Sequence, residues 1–143
     1  MIAVDSGCLF ALADSTDRWH ARAVAAAPSQ EVGWITTWPV LTETCHLYQV
    51  RIGVAPAIAL MEDVAAGAIQ LWTPPPLSLA LIPALLRKYA SLPMDLADAS
   101  LVLLAEHLSH GRILTTDERD FGAYRWKSRK PFKNLLAANQ DSL

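Results

Sequence analysis

Asp5, Glu43, Asp98 and Asp117 each stand where the chain turns from one element into the next. Asp5 ends the apolar run Ile2-Ala3-Val4, and Glu43 lies in the first turns of TTWPVLTETCHL. Asp98 belongs to PMDLADASLVLLAEHL with Asp95 one turn before it, and Asp117 follows Arg112-Ile113-Leu114-Thr115 with Asp120 three residues on. If those runs are parallel strands, residues just past their carboxyl ends gather on one edge of the sheet. Carboxylates brought together there repel, so they take up protons or hold a cation. A hard divalent ion with oxygen ligands answers that requirement.

Each acid also has a structural alternative. Asp95 could cap a helix with Asp98 at its third position, where the helix dipole favours a negative charge. Asp117 and Asp120 could be turn residues that cap a short helix, and Glu43 a solvated helix residue. Asp5 is harder to explain so, because a carboxylate directly after an apolar strand has little reason to be there unless something binds it. The joint pattern outweighs the separate alternatives.

The elements that must position these acids follow from punctuation and periodicity. Ile2–Asp5 reads as a buried strand and Ser6–Ala13 as a helical turn; Asp17 caps a helix running through Ala27. Val32–Thr36 is a second strand. Thr37 then caps a helix that carries Pro39 in its first turn and runs to about Ile52, before Gly53. Ala55–Ala66 is a helix closed by Gly67, Ala68–Trp72 a third strand, and Pro74-Pro75-Pro76 a break. Leu77–Ala90 reads as helical, kinked or restarted at Pro83. Pro93 and Asp95 open a helix from Leu96 to Leu108 that closes near Gly111. Arg112–Thr115 is a fourth strand and Phe132–Leu136 a candidate edge strand. Strands alternating with helices predict an α/β fold with a mostly parallel central sheet.

Composition sets the bounds. With 143 residues, an apolar share of 52% and mean hydropathy of +0.23, the chain has material for one domain (1–143) with a full core. Cys8 and Cys45 are too few for a disulfide framework and read as small buried hydrophobes of a reducing compartment. No signal peptide is expected, because no basic stretch precedes the first apolar run and Asp5 interrupts it at once, and the longest apolar stretch, Leu77 to Leu86, is too short to span a bilayer. A soluble cytoplasmic protein with no membrane association is expected. Residues 1–118 carry 6 basic and 12 acidic side chains, whereas residues 119–143 carry 6 basic and 2 acidic ones. That asymmetry predicts an acidic pocket adjoining a basic patch.

The segment from Tyr124 to Lys133 interleaves rings with cations, as single-strand nucleic-acid binders do, although Trp126 and Phe132 could equally pack inward. Glu43 and His46 mimic one Glu-x-x-His half of a di-iron site, but such sites need two. His20, His107 and His110 take structural readings, the last two as cations suited to a helix end.

The blocks VDSGCLFAL, TTWPVLTET, YASLPMDLADASLVLLAEHL and ILTTDERDFGAYR, in this order and spacing, resemble PIN-domain proteins, more narrowly the VapC-type ribonuclease toxins of toxin–antitoxin pairs. The resemblance extends from Ile2 to about Leu136. It implies a PIN-like three-layer sandwich and a metal-dependent endoribonuclease. Asp5, Glu43, Asp98 and Asp117 then match the acidic quartet that holds Mg²⁺ or Mn²⁺, and Asp95 and Asp120 match accessory acids. Ser6 matches the hydroxyl residue after the first acid, and Thr115 or Thr116 the hydroxyl before the last, with Thr116 assigned to substrate binding. Arg125 and Lys127 are assigned to substrate phosphates. RNA, a cognate antitoxin and a second copy in a homodimer are the implied partners. The chain departs from the pattern at Gly7, where many PIN domains carry Ser or Asn; positioning there falls to Ser6 or to backbone N–H groups. The rival expectations are a non-catalytic PIN-fold module that binds RNA or protein, and a metal-dependent nuclease or phosphatase with a non-RNA substrate.

Overall fold

A computed structural model describes residues 1–27 and 31–137. Five strands form the central sheet: β1 (Ile2–Val4), β2 (Trp34–Thr37), β3 (Ile69–Trp72), β4 (Arg112–Leu114) and β7 (Lys133–Asn134). Their order is β3-β2-β1-β4-β7 and every pairing is parallel. The burial pattern explains the parallel arrangement. All four residues of β2 are buried, and β1 and β4 each bury their last two, Val4 and Leu114 included. Strands buried in this way need helices as cover, and crossover helices join parallel neighbours.

The crossovers supply that cover. They are α1 (Ser6–Ala13) and α2 (His20–Ala25), then α3 (Trp38–Arg51) and α4 (Val54–Ala65), then α5 (Ile82–Lys88) and α6 (Leu96–Leu108), with α7 (Glu118–Ala123) following β4. The strongest helix is α6, opened by a reciprocal capping box between Asp95 and Asp98 and buried along Ala99–Ala105. Thr37 caps α3 and Pro39 lies in its first turn, where its missing N–H breaks no helical bond. From β1 the chain winds outward through β2 to β3, then returns to place β4 on the other side of β1. The sheet therefore has its topological switch point between β1 and β4, and ligands of open α/β sheets bind outside the strand ends at such a crevice.

Several expected boundaries move. The second helix begins only at His20, because Asp17 spends its carboxylate on the Trp19 amide in a local turn at 2.8 Å. Residues 76–81 form a 3-10 helix and α5 begins at Ile82 with Pro83 in its first turn, so the segment restarts at Pro83 and is not kinked there. Ser109, at φ 59, closes α6, and Gly111 has another task. A Cβ on Gly111 would lie 2.5 Å from the Trp126 indole nitrogen and 2.9 Å from the Pro131 carbonyl, so glycine admits the Trp126 ring against the backbone. The edge strand is confined to Lys133–Asn134. A small antiparallel hairpin, β5 (Arg125–Trp126) with β6 (Lys130–Pro131), was not legible beforehand, because its turn at Lys127 and Ser128 reaches positive φ without glycine.

Candidate active site

The carboxyl ends of β1 and β4 lie side by side, and their ladder continues one step further, with the Asp5 amide donating to the Leu114 carbonyl at 3.0 Å. Asp5 is 6% exposed and caps α1: Oδ1 accepts from the Ser6 amide at 2.7 Å and Oδ2 from the Thr115 hydroxyl at 2.9 Å. The same Thr115 oxygen accepts from the Asp117 amide at 3.0 Å. One fully buried hydroxyl thus ties Asp5 to Asp117, the first and last of the four principal acids. Thr115 is held in turn by Asn134, whose side-chain amide accepts from the Thr115 N–H at 3.2 Å and donates to its carbonyl at 2.9 Å.

The remaining acids arrive on α3, α6 and α7: Asp95, Asp98, Asp117 and Asp120 at helix starts and Glu43 in the second turn of α3. Asp98 receives the Tyr124 hydroxyl on Oδ2 at 3.0 Å, while its amide donates to Asp95 at 2.8 Å. Glu43, on α3, accepts from the Ser6 hydroxyl at 3.0 Å. Asp117 caps α7 by accepting from the Asp120 amide at 3.0 Å. The structural and the functional roles of these residues coexist, since a capping carboxylate still presents its other oxygen.

All six acids named from the sequence line one open cavity of about 290 Å³, together with Ser6, Gly7, Pro93 and Thr116. No lysine, arginine or histidine is among those lining residues. Burial, then the charges of Glu43 and Asp95, raise the Asp5 carboxyl to about 6, against the lowering effect of its Ser6 and Thr115 hydrogen bonds. Burial, followed by the charges of Asp95 and Asp5, raises Asp98 to about 7 although Tyr124 and the Asp95 capping bond oppose the shift. Burial also raises Glu43 and Asp117. The acids surround the cavity instead of one point: among the described residues, no three acidic, histidine or cysteine side chains are grouped as an ion's ligands. Such a donor set fits a hard divalent ion that keeps part of its water shell and takes one or two carboxylates directly, as Mg²⁺ does.

Of the basic segment, Arg119 reaches the cavity wall by pairing with Asp120 at 3.3 Å, whereas Arg125 and Lys127 are turned to other partners. Arg125 turns its guanidinium onto the carbonyls of Gly122, Ala123 and Tyr124 at 2.9 to 3.2 Å, closing the end of α7. The Lys127 amide donates to Glu106 near the far end of α6, and Lys88 donates to the Ser128 carbonyl. Eight residues of α6 separate Asp98 from Glu106, a span of about 12 Å at the helical rise. Neither Arg125 nor Lys127 lines the cavity. Trp126 is buried under Lys130, and Phe132 packs edge-on to Phe121, so the inward alternative describes both rings.

Three residues of the site carried little sequence signal. The sequence offers Thr115 and Thr116 as alternatives; it is Thr115 that holds the acids, and its position at the buried end of a strand is the clue to it. Tyr124 and Asn134 were not singled out for the site, because their partners lie 26 and 19 residues away. The histidines stay structural: His107 stacks on Trp72 at 5.1 Å, His20 meets the Ala11 carbonyl, and His110 accepts from the Arg112 amide. The Cys8 thiol is buried and raised to about 12 by that burial, which makes it a poor nucleophile.

Comparison with known proteins agrees with this architecture. No family model matches the chain. Ribonuclease VapC26 of Mycobacterium tuberculosis is 28% identical over 122 residues, covering 85% of this chain and 90% of the relative. The crystal structure of Mycobacterium tuberculosis VapC20, a sarcin–ricin loop cleaving toxin, aligns with a TM-score of 0.73 at 18% identity, over 83% of this chain and 92% of the other. The resemblance to VapC-type PIN-domain toxins seen in the four sequence blocks is borne out, as is the α/β fold with a parallel sheet between helices.

Proposed function

We propose that this chain is an endoribonuclease toxin that hydrolyses RNA phosphodiester bonds at the carboxylate cavity. The observation that carries the proposal is the placement of six carboxylates around one cavity at the β1/β4 switch point, in a chain similar along 85% of its length to a ribonuclease. Asp5, Asp98, Glu43 and Asp117 would surround Mg²⁺ or Mn²⁺, one or two of them binding it directly and the others through its waters, with Asp95 and Asp120 also in reach of those waters. When bound, the ion supplies charge neutralisation for the phosphodiester and activation of an attacking water. The chain's own residues do the rest. Thr115 and Ser6 fix the Asp5 carboxylate by hydrogen bonds, Tyr124 fixes Asp98, and the Asp120 amide fixes one oxygen of Asp117. Asp117 would orient a water or accept its proton.

A cognate antitoxin and a homodimer belong to the same proposal, as does a cytoplasmic setting. In support, Leu77 is 90% exposed and Leu79 and Leu81 are about half exposed on the 3-10 segment, more apolar surface than one buried helix face requires. Among the described residues no helix is long and apolar enough to cross a membrane. The full set of acids favours catalysis over a purely binding role for this fold.

The test is cleavage of total RNA and of a sarcin–ricin-loop oligonucleotide by the purified protein. Activity is expected with Mn²⁺, to disappear in EDTA and in Asp98→Asn, and to leave 5′-phosphate ends, because water is the nucleophile. Undiminished cleavage in EDTA, or 2′,3′-cyclic phosphate ends, refutes the metal-assisted mechanism and returns attention to histidine acid–base chemistry.

A further inference from the structure

The carboxylate cavity can hold a phosphodiester through an ion, yet no aromatic ring lines it. An RNA strand crossing it carries a base on either side of the cut bond, and unpaired bases are held by stacking on aromatic faces. Trp38 offers such a face. It is 52% exposed, in a residue type that folded proteins mostly bury. Every other aromatic ring of the chain is spent within the fold. Trp34 and Trp126 donate to carbonyls, Trp72 stacks on His107, Trp19 lies beneath Arg22, and the tyrosines and phenylalanines pack on one another. The Trp38 indole has neither a ring contact nor a hydrogen bond to any described residue.

The sheet register sets this ring beside the cavity. β2 pairs with β1 through Trp34 with Ile2 and Ile35 with Ala3, and the Thr36 hydroxyl donates to the Val4 carbonyl at 2.9 Å. Carried on, the same register puts Thr37 level with Asp5 and Trp38 level with Ser6, one strand spacing of about 5 Å away. The Thr37 hydroxyl also shares a hydrogen bond with that of Ser100 at 2.7 Å, two residues past Asp98 on α6. Trp38 thus opens the helix that delivers Glu43, next to the start of the helix that delivers Asp95 and Asp98. It stands beside the cavity and not in it, a place for a base next to the cut bond. Nothing in starting α3 calls for a tryptophan there, since Thr37 supplies the cap and Pro39 the rigid first turn.

We infer that Trp38 is a stacking platform for the base of a nucleotide flanking the scissile phosphate, and that the RNA is unpaired at that nucleotide. The inference rests on the endoribonuclease proposal above and deepens it by naming the substrate class, a single strand or loop and not a duplex. Stacking accepts any base, because every base has a π face, so Trp38 adds affinity without choosing a sequence. The ring is exposed and packs on no described ring, so its replacement leaves no core cavity and the variants should melt like the parent.

The experiment compares the parent protein, Trp38→Phe, Trp38→Leu and Trp38→Ala on an RNA that the parent cuts at a mapped bond. Each is followed by kcat/KM in Mn²⁺, by Mn²⁺ titration and by thermal melting. Trp38→Ala should lose roughly 5- to 150-fold in kcat/KM, the range for one stacked base. Trp38→Leu, apolar but without a π face, should lose nearly as much, and Trp38→Phe should keep most of the parent's rate. Mn²⁺ affinity and melting temperature should stay unchanged in all three. The parent and Trp38→Ala are then compared on RNAs carrying a single abasic nucleotide at successive positions around the cut. At one position the abasic RNA should slow the parent to the level of Trp38→Ala and slow Trp38→Ala no further. Parent-like kcat/KM in Trp38→Ala or in Trp38→Leu overturns the inference while leaving the endoribonuclease proposal standing. A loss that no abasic position absorbs, or equal cutting of the same bond within a full duplex, overturns it in the same way. A parent protein that cuts no RNA in Mn²⁺ overturns both.

Discussion

Replacing Asp5 with Asn should make the stability of the metal-free protein less dependent on pH, and the size of the change follows from where the carboxylate sits. Asp5 is 6% exposed, and burial with the nearby charges of Glu43 and Asp95 raises its carboxyl from 3.8 to about 6. At 1.36 kcal/mol per pH unit, that difference corresponds to about 3 kcal/mol. The sign is set by which state holds the proton. Between about pH 4 and pH 6 the folded protein keeps a proton on Asp5 that the unfolded chain has released, so stability falls as pH rises through this window. Above it the folded state carries the full cost of a buried charge. Asn cannot ionise, so its stability relative to the parent should improve by about 3 kcal/mol between about pH 4 and pH 8. Any cost of placing the Asn amide against the Ser6 amide and the Thr115 hydroxyl is the same at both values and cancels. Urea unfolding of both proteins at several pH values, in EDTA, provides the measurement. A difference between the two proteins that does not vary with pH would refute the account of Asp5 as a charge held at a cost. Added Mn²⁺ should lift the parent at pH 8 and leave Asp5→Asn nearly where it was.

Two further outcomes are expected. Tyr124→Phe removes the hydroxyl that donates to Asp98 at 3.0 Å and should weaken Mn²⁺ binding several-fold while costing about 1 kcal/mol in stability, read by metal titration and urea unfolding; unaltered metal affinity would show that Asp98 does not depend on it. If the exposed cations of the hairpin meet RNA, Lys127→Ala with Arg129→Ala should lower the slope of log affinity against log salt by about 0.7 per lost contact on single-stranded RNA; an unchanged slope in a salt titration of the Asp98→Asn protein would make the hairpin a solvated face.

The sequence disclosed most where local chemistry and tertiary role coincide. Asp95 and Asp98 form a capping box and also line the cavity, so the helix-start signal and the site signal fell on the same residues. Asp5 stood out because it follows the apolar run Ile2-Ala3-Val4 directly, although in the structure it also caps α1 through the Ser6 amide. What could not be seen was long-range. The hydrogen bond from Thr115 to Asp5 spans 110 positions, and no spacing rule distinguishes Thr115 from Thr116. Net charge along a segment also says nothing of direction: the Arg125 guanidinium is taken up by carbonyls of its own loop, while Arg119 meets Asp120 at the cavity. Gly7 read as a missing hydrogen bond, whereas in space it is a vacancy that Thr116 fills.

The Asn134 clamp on Thr115 bears on the timing of synthesis. A ribosome makes Asp5 first, Glu43 and Asp98 later, and the strand carrying Thr115 near the end; the amide that grips Thr115 comes 19 residues after it. Until Asn134 has left the exit tunnel, the loop bearing Thr115, Thr116 and Asp117 lacks both bonds that fix its backbone, and Asp5 has no settled neighbour on its β4 side. Until then the cavity is incomplete, so a site that draws on residues 5 to 134 is among the last features of this domain to form as the chain is made.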